Sequence, residues 1–195
     1  MPSADKPQPL KMTNVWLTAK ARMEAEKRLK LYDVVSHLVL IWYSLWLLCL
    51  TVFSKSFEPF VGAIGIGELA TFLSASVLVL SVTTWGFKFG TKAALHRDCY
   101  LELERLLANS SADKDSDTEY AEIKKRYPNH STYDLDAVFF RRILIRGEEI
   151  ENSRGKVTFG FLAGFLYCIT WVAEKLILLF AFALPVAVAV LLYAF

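Results

Sequence analysis

Histidine and cysteine are scarce in this 195-residue chain, three of each, and neither is clustered. His37, His96 and His130 each stand alone, and there is no HExxH, no GxSxG, no glycine-rich phosphate loop and no cysteine pair at metal spacing. With those signatures missing, an enzyme is the least expected class, and no catalytic residue, metal or cofactor is assigned. Cys49, Cys99 and Cys168 lie far apart, two of them in apolar runs, and read as small hydrophobes of a reducing compartment rather than a disulfide frame. The opening MPSADKPQPL lacks the apolar core of a signal peptide, so the apolar segments further on are expected to stay in the mature protein.

What the chain does have is long hydrophobic runs, and 54% of its residues are hydrophobic. Two runs, about 34–53 and 61–87, each reach the roughly 20 apolar residues that a helix needs to cross a bilayer. Only a short connection through Lys55, Glu58 and Pro59 separates them, which predicts a transmembrane hairpin. A third apolar stretch, Val157 to Phe195, ends the sequence. The expected fold class is an all-α membrane protein. A long N-terminal helix continues into the two-span hairpin, a helical cytoplasmic segment follows, and a C-terminal apolar helix or hairpin closes the chain. Seven Lys and Arg precede the first span and thirteen lie between Lys88 and Lys156, against Lys55 alone in the hairpin connection. By the positive-inside rule the N-terminus and residues 88–156 are cytoplasmic, and the connection faces the other side.

Four regions follow. Residues 1–12 carry three prolines and few apolar groups, which predicts a disordered tail. Residues 13–108 hold the long helices and the hairpin. No Gly or Pro interrupts the run from Thr13 to Ser54, so one helix of about 60 Å is expected, at ~1.5 Å per residue. Arg22 with Glu26, and Glu24 with Arg28, are four apart and are expected to pair on its surface. After the second span, FKFGTKAALHRDCYLELERLLA predicts an amphipathic helix returning antiparallel, with Leu95, Cys99, Leu103 and Leu106 against Trp16, Met23 or Leu31. Residues 109–156 open on the polar NSSADKDSDTE, a linker or loop tip. A short helix from about Glu119 to Arg126, stopped by Pro128 and Asn129, and another from Tyr133 to Glu151 come next. The membrane segment 157–195 is too long for one upright span, and only Glu174 and Lys175 interrupt it. Two short spans joined at that pair are preferred over an interfacial helix leading into one terminal span with Pro185.

Glu68 stands inside an apolar run, where a carboxylate costs several kcal/mol unless it meets water or a partner. Thr71, Ser74 and Ser81 follow it at helical intervals, so these four are candidate pore-lining residues. The plainer account, a hydrated Glu68 near the interface and small residues that let helices touch, is preferred for Glu68 and stands level for the stripe. GAIGIG at 62–67 resembles a dinucleotide fingerprint only superficially and suits helix packing. Lys20, Arg22, Lys27 and Arg28 are candidates for contact with an anionic signal or lipid heads, although topology alone already asks for positive charge there. Trp42, Tyr43 and Trp46 read as interfacial or packing aromatics before gate residues, and His37 as a capping or packing side chain.

A family resemblance rests on order and spacing. Trp16, Thr18, Ala19, Lys20 and Arg22 run through Ala25 to Leu29, Asp33 and Ser36, then Tyr43 and Ser44. Cys99, Tyr100, Glu102 and Leu103 follow, and then Tyr127 to Ser131 with Asp134 and Asp136. Over roughly residues 13–195 this resembles the SLATT family, bacterial two-span effectors associated with nucleotide-signalling (SMODS) and SLOG sensor proteins. It is most like the subfamily that often accompanies reverse transcriptases. The resemblance implies a pore-forming or membrane-disrupting effector of antiviral conflict systems in the bacterial inner membrane, arresting or killing the infected host. It also implies a nucleotide signal, a reverse transcriptase or a sensor protein of the same system as partner, with no direct nucleic-acid binding. The C-terminal apolar stretch exceeds a bare two-span plan. Tyr127, Asn129 and His130 are candidate partner or signal contacts, or part of a turn in which Asn129 and Ser131 satisfy backbone groups. A lone hairpin cannot enclose water, so a homo-oligomer gated by the cytoplasmic helices is expected. A membrane anchor or adaptor for a soluble enzyme and a housekeeping ion channel are the alternatives.

Overall fold

The computed structural model describes residues 12–60, 65–109, 115–152 and 155–194. The expected disordered tail up to Lys11, Gly62 to Ile64 of the glycine-rich turn and most of the loop tip after Asn109 lie outside them. The order is α1 (Met12–Val52), a short α2 (Ser54–Phe57) leading into a 3-10 turn (Glu58–Phe60), α3 (Ile66–Phe87), α4 (Phe89–Asn109) and α5 (Asp115–Arg126). Then come α6 (Thr132–Phe139), which continues as a π-helix (Phe140–Ile145), and α7 (Phe161–Ala194). A two-residue antiparallel ladder, β1 (Glu151–Asn152) on β2 (Gly155–Lys156), is the only sheet among the described residues. The fold is therefore all-α, and α1, the α3–α4 run and α7 carry windows long and apolar enough to cross a bilayer.

The chain divides into two compact units. One combines the residues up to Lys30 with Gly90–Thr170, the other Leu31–Phe89 with the chain from Trp171 onward. The first is called here the polar unit and the second the membrane unit.

In the polar unit, Val15 and Ala19 of α1 pack with Cys99, Leu103 and Leu106 of α4 and Tyr120 and Ile123 of α5. The expected face of α4 is thus right at three positions of four. Leu95 is exposed, and the buried row runs Ala93, His96, Cys99, Leu103, Leu106, one register step away from it. The partners also differ. Leu31 is exposed, and Trp16 joins a second cluster with Leu17, Val138 and Ile150. Ala21 and Ala25 are buried on one side of α1 and Ala19 on another, where a small side chain lets neighbouring elements approach its backbone. The Thr18 hydroxyl donates to Asn14 O (2.9 Å), so the Tyr120 hydroxyl, 2.8 Å away, donates to Thr18.

Three boundaries depart from expectation. Helix α5 starts at Asp115, four residues before Glu119. The helix expected from Tyr133 to Glu151 ends by Ile145, and Gly147 beyond it takes a φ of +67°, a conformation that glycine enters without steric cost. Helices α3 and α4 are separated by Lys88, which adopts a left-handed conformation (φ 49°, ψ 47°).

In the membrane unit, Val39, Tyr43 and Leu50 of α1 and Leu73 of α3 form the buried centre, with Ala181, Phe182 and Leu184 of α7 against it. The preferred hairpin at Glu174 and Lys175 is corrected: α7 is a single 34-residue helix. The Lys175 ammonium lies 3.3 Å from Glu174 Oε1 and over the Trp171 ring at 5.9 Å, so the two charges are partnered without a turn. Pro185, inside α7, has no N–H for the carbonyl four residues back, that of Ala181. The Tyr43 hydroxyl donates to Ala181 O (3.0 Å), and Trp42 Nε1 donates to the next carbonyl, Phe182 O (3.0 Å). The Tyr43 donor from α1 therefore completes the one carbonyl that proline leaves open, as a lipid-facing helix requires, and Trp42 adds a second bond beside it.

Candidate functional sites

The membrane unit carries an open cleft of about 530 Å³ between α1 and α3, lined by Ser44, Leu47, Leu48, Thr51, Ala70, Thr71 and Ser74. Its four hydroxyls each donate to their own helix: Ser44 to Leu40 O (2.8 Å), Thr51 to Leu48 O (2.9 Å), Thr71 to Gly67 O (2.7 Å) and Ser74 to Thr71 O (2.9 Å). That cancels the desolvation cost of each O–H and leaves each oxygen as an acceptor. Of the four candidate residues on α3, Thr71 and Ser74 line the cleft. Glu68 and Ser81 are also exposed but are not in its lining. Glu68 sits in the first turn of α3, where the helix dipole favours a carboxylate. Ser44 and Thr51, not among the pore-lining candidates of the sequence reading, are the facing half of the same surface.

In the polar unit the candidate cations of α1 separate onto two faces. Arg22 is fully buried and donates from Nη1 to Pro128 O, while its Nε and Nη2 have no hydrogen-bond partner. Arg28 binds Asp134 through Nε–Oδ1 (2.9 Å) and Nη2–Oδ2 (3.1 Å) and reaches Ser131 Oγ at 3.4 Å. Ser131 and Asp134 form a reciprocal capping box at the start of α6, so one carboxylate caps a helix and fixes it to α1. The expected surface pairs of Arg22 with Glu26 and Glu24 with Arg28 give way to these partners. Glu26 pairs with Lys30 (2.6 Å) and Glu24 with Lys27 (3.1 Å) and Arg141 (2.8 Å). The Tyr127 hydroxyl donates to Glu102 (2.7 Å), which also holds Arg126, and this bond raises the phenol above its ordinary range. Asn129 is exposed, and His130 Nδ1 lies 3.2 Å from Ser131 O.

Two titrating groups on α4 sit against this face. Burial, reinforced by the Arg22 charge, lowers the His96 imidazole below its usual value, and its Nδ1 has no hydrogen-bond partner. Burial also pushes the Cys99 thiol up to about 11, which leaves it an unreactive packing group. No cluster of three or more His, Cys, Asp or Glu suited to a metal occurs among the described residues.

Lys20 and Lys27 lie on the other face of α1 and line a cleft of about 160 Å³ together with Met23, Glu24, Val138, Arg141, Arg142 and Arg146. The three arginines were missed in sequence because their convergence depends on local geometry. Phe140–Ile145 is π-helical, so residues five apart, such as Arg141 and Arg146, stack along one side. Arg142 lies over the Trp16 ring at 4.4 Å and 2.7 Å from Glu148, which fixes its planar head.

Long apolar helices together with a helical polar unit define an integral membrane protein of the all-α class. The chain belongs to the SMODS and SLOG-associating 2TM effector domain family 5, whose model matches residues 5–191. It is thus a membrane effector domain of conflict systems, with three apolar helices long enough to span among the described residues where the family description counts two. No curated protein and no solved structure matches the chain.

Proposed function

We propose that the protein permeabilises the bacterial inner membrane as a homo-oligomer, with its polar unit on the cytoplasmic side acting as the gate. The observation that carries this reading is the hydroxyl-lined cleft formed by Ser44, Thr51, Thr71 and Ser74 on a surface otherwise built for lipid. One groove between two helices cannot enclose water; the same groove contributed by several copies around an axis can. Because its oxygens remain acceptors, such a path favours cations over anions. Helix α1 contributes residues to both units. The trigger comes from a partner of the same system, a sensor protein, a reverse transcriptase or a nucleotide signal. The cytoplasmic placement rests on the thirteen cations of residues 88–156.

Inducible expression in bacteria, with membrane potential and uptake of an excluded dye followed in time, tests this. Depolarisation before growth arrest is expected, lost in Ser74→Leu and Thr71→Leu at equal membrane abundance, and weakened in Glu68→Gln. Depolarisation unchanged in both leucine variants removes the cleft as the path. A polarised, growing culture, even with the neighbouring genes present, points to an anchor or adaptor.

A further inference from the structure

We propose that the basic cleft of the polar unit is a binding site for a phosphate group, either the phosphomonoester or pyrophosphate end of a soluble anion or the headgroup of an anionic lipid. Five cations, Lys20, Lys27, Arg141, Arg142 and Arg146, line it against one carboxylate, Glu24. They come as two facing rows. Lys20, Met23, Glu24 and Lys27 are spaced three, four and seven apart along one face of α1, and the arginines come from the π-helix and its end. Arg141, Arg142 and Arg146 line the cleft together at a cost in like-charge repulsion, while Phe140 of the same stretch packs on Tyr167 of α7.

The cleft's own ion pairs do not use up its charge. Glu24 is shared by Lys27 (3.1 Å) and Arg141 (2.8 Å), and Glu148 by Arg142 (2.7 Å) and, at 3.6 Å, Arg146. Lys20 is 3.6 Å from Glu104 and gives a long contact to Met23 Sδ (3.4 Å). Arg146 and Lys20 are therefore the most loosely held, and each retains donors for a further acceptor. Phosphate oxygens suit such a set, because guanidinium forks bind them bidentately and a doubly charged group can meet two rows at once.

Size narrows the class. About 160 Å³ is several times the ~30 Å³ that one water occupies, yet well short of the ~300 Å³ at which pockets enclose a whole small molecule. The cleft takes one phosphate or pyrophosphate group, and the rest of its bearer stays outside. Glu24 is the built-in competitor: an arriving phosphate takes over the Arg141 and Lys27 contacts that Glu24 holds in the empty cleft. This site is independent of whether the membrane cleft conducts.

The test uses the full chain in nanodiscs of phosphatidylcholine, titrated with inorganic pyrophosphate and read by calorimetry and thermal shift. A parallel arm compares nanodiscs with and without phosphatidic acid. Binding that falls at least about tenfold in Arg146→Gln and in Lys27→Gln, and rises severalfold in Glu24→Gln, supports the site with a soluble source. The same variant pattern seen only as stabilisation by phosphatidic acid supports it with a lipid source. Circular dichroism of each variant confirms that the helices persist. Absence of both effects, or either one unchanged in Arg146→Gln and Lys27→Gln, overturns the proposal, as does equal binding of sulfate and pyrophosphate with no response to Glu24→Gln.

Discussion

Pro185 shows how one residue is made tolerable by another, Tyr43. Tyr43→Phe leaves Ala181 O without a donor inside the membrane unit, and a loss of about 0.5–2 kcal/mol is expected in reversible unfolding in mixed micelles. In a Pro185→Ala background the helix supplies its own N–H to that carbonyl, so the same Tyr43→Phe change should cost almost nothing. Additive effects in this double-mutant cycle would show that Tyr43 contributes packing alone. His96 gives a pH dependence. Its folded value is lowered by burial and by the charges of Arg22, His130 and Arg28, with Asp134 opposing. On acidification the unfolded chain, at about 6.5, takes up this proton first, so stability falls as pH drops below ~6.5. His96→Asn should flatten that fall in thermal melts between neutral and mildly acid pH. An identical slope in the variant would place the acid sensitivity elsewhere.

At the scale of elements, Lys88 is the non-glycine residue of positive φ among the described residues, and it sets the break between α3 and α4. A side chain in that conformation costs ~1–2 kcal/mol. Lys88→Gly is therefore expected to raise stability by about 0.5–1 kcal/mol after glycine's extra unfolded-state entropy, seen as a higher Tm. A lower Tm would mean that the Lys88 side chain, 5.9 Å over Trp85, contributes more than the backbone loses. Elements of this length were readable from sequence wherever one rule dominated. The unbroken run from Thr13 and the apolar windows gave α1 and α3 because hydropathy and the lack of Gly or Pro agree there. Where two rules competed, tertiary partners decided. Glu174 beside Lys175 looks like a polar turn, but adjacent opposite charges satisfy each other on a helix surface. Leu95 is the more apolar choice beside His96, yet α4 buries His96 because its face is fixed by Cys99, Leu103 and Leu106. The candidate sites follow the same division. Thr71 and Ser74 were visible as a stripe, whereas Ser44, Thr51 and the arginines after Phe140 become neighbours only through packing between segments far apart in sequence or through π geometry.

At the scale of the molecule, at most 11% of any apolar window is buried within the chain itself, so the spans are covered by lipid or by further copies. The homo-oligomer proposal requires copies to meet at the hydroxyl cleft. Ser74→Cys should give a cross-linked dimer with a short bis-maleimide in native membranes, whereas Trp85→Cys, also exposed, should not. Equal cross-linking at both positions would indicate random collision.

The six residues from Phe140 to Ile145 carry a last consequence, one of heredity. Losing a single codon at Ile143, Leu144 or Ile145 removes no charge from the protein and leaves every arginine in its reading frame. A π turn holds about one residue more than an α turn, so the loss is taken up by a return to ordinary α-helical winding. Arg146 then stands four positions after Arg141, on the same side of an α-helix, and the cleft keeps both arginines and its composition. For this stretch, selection would have to act on the identity of the arginines more strictly than on the number of residues between them.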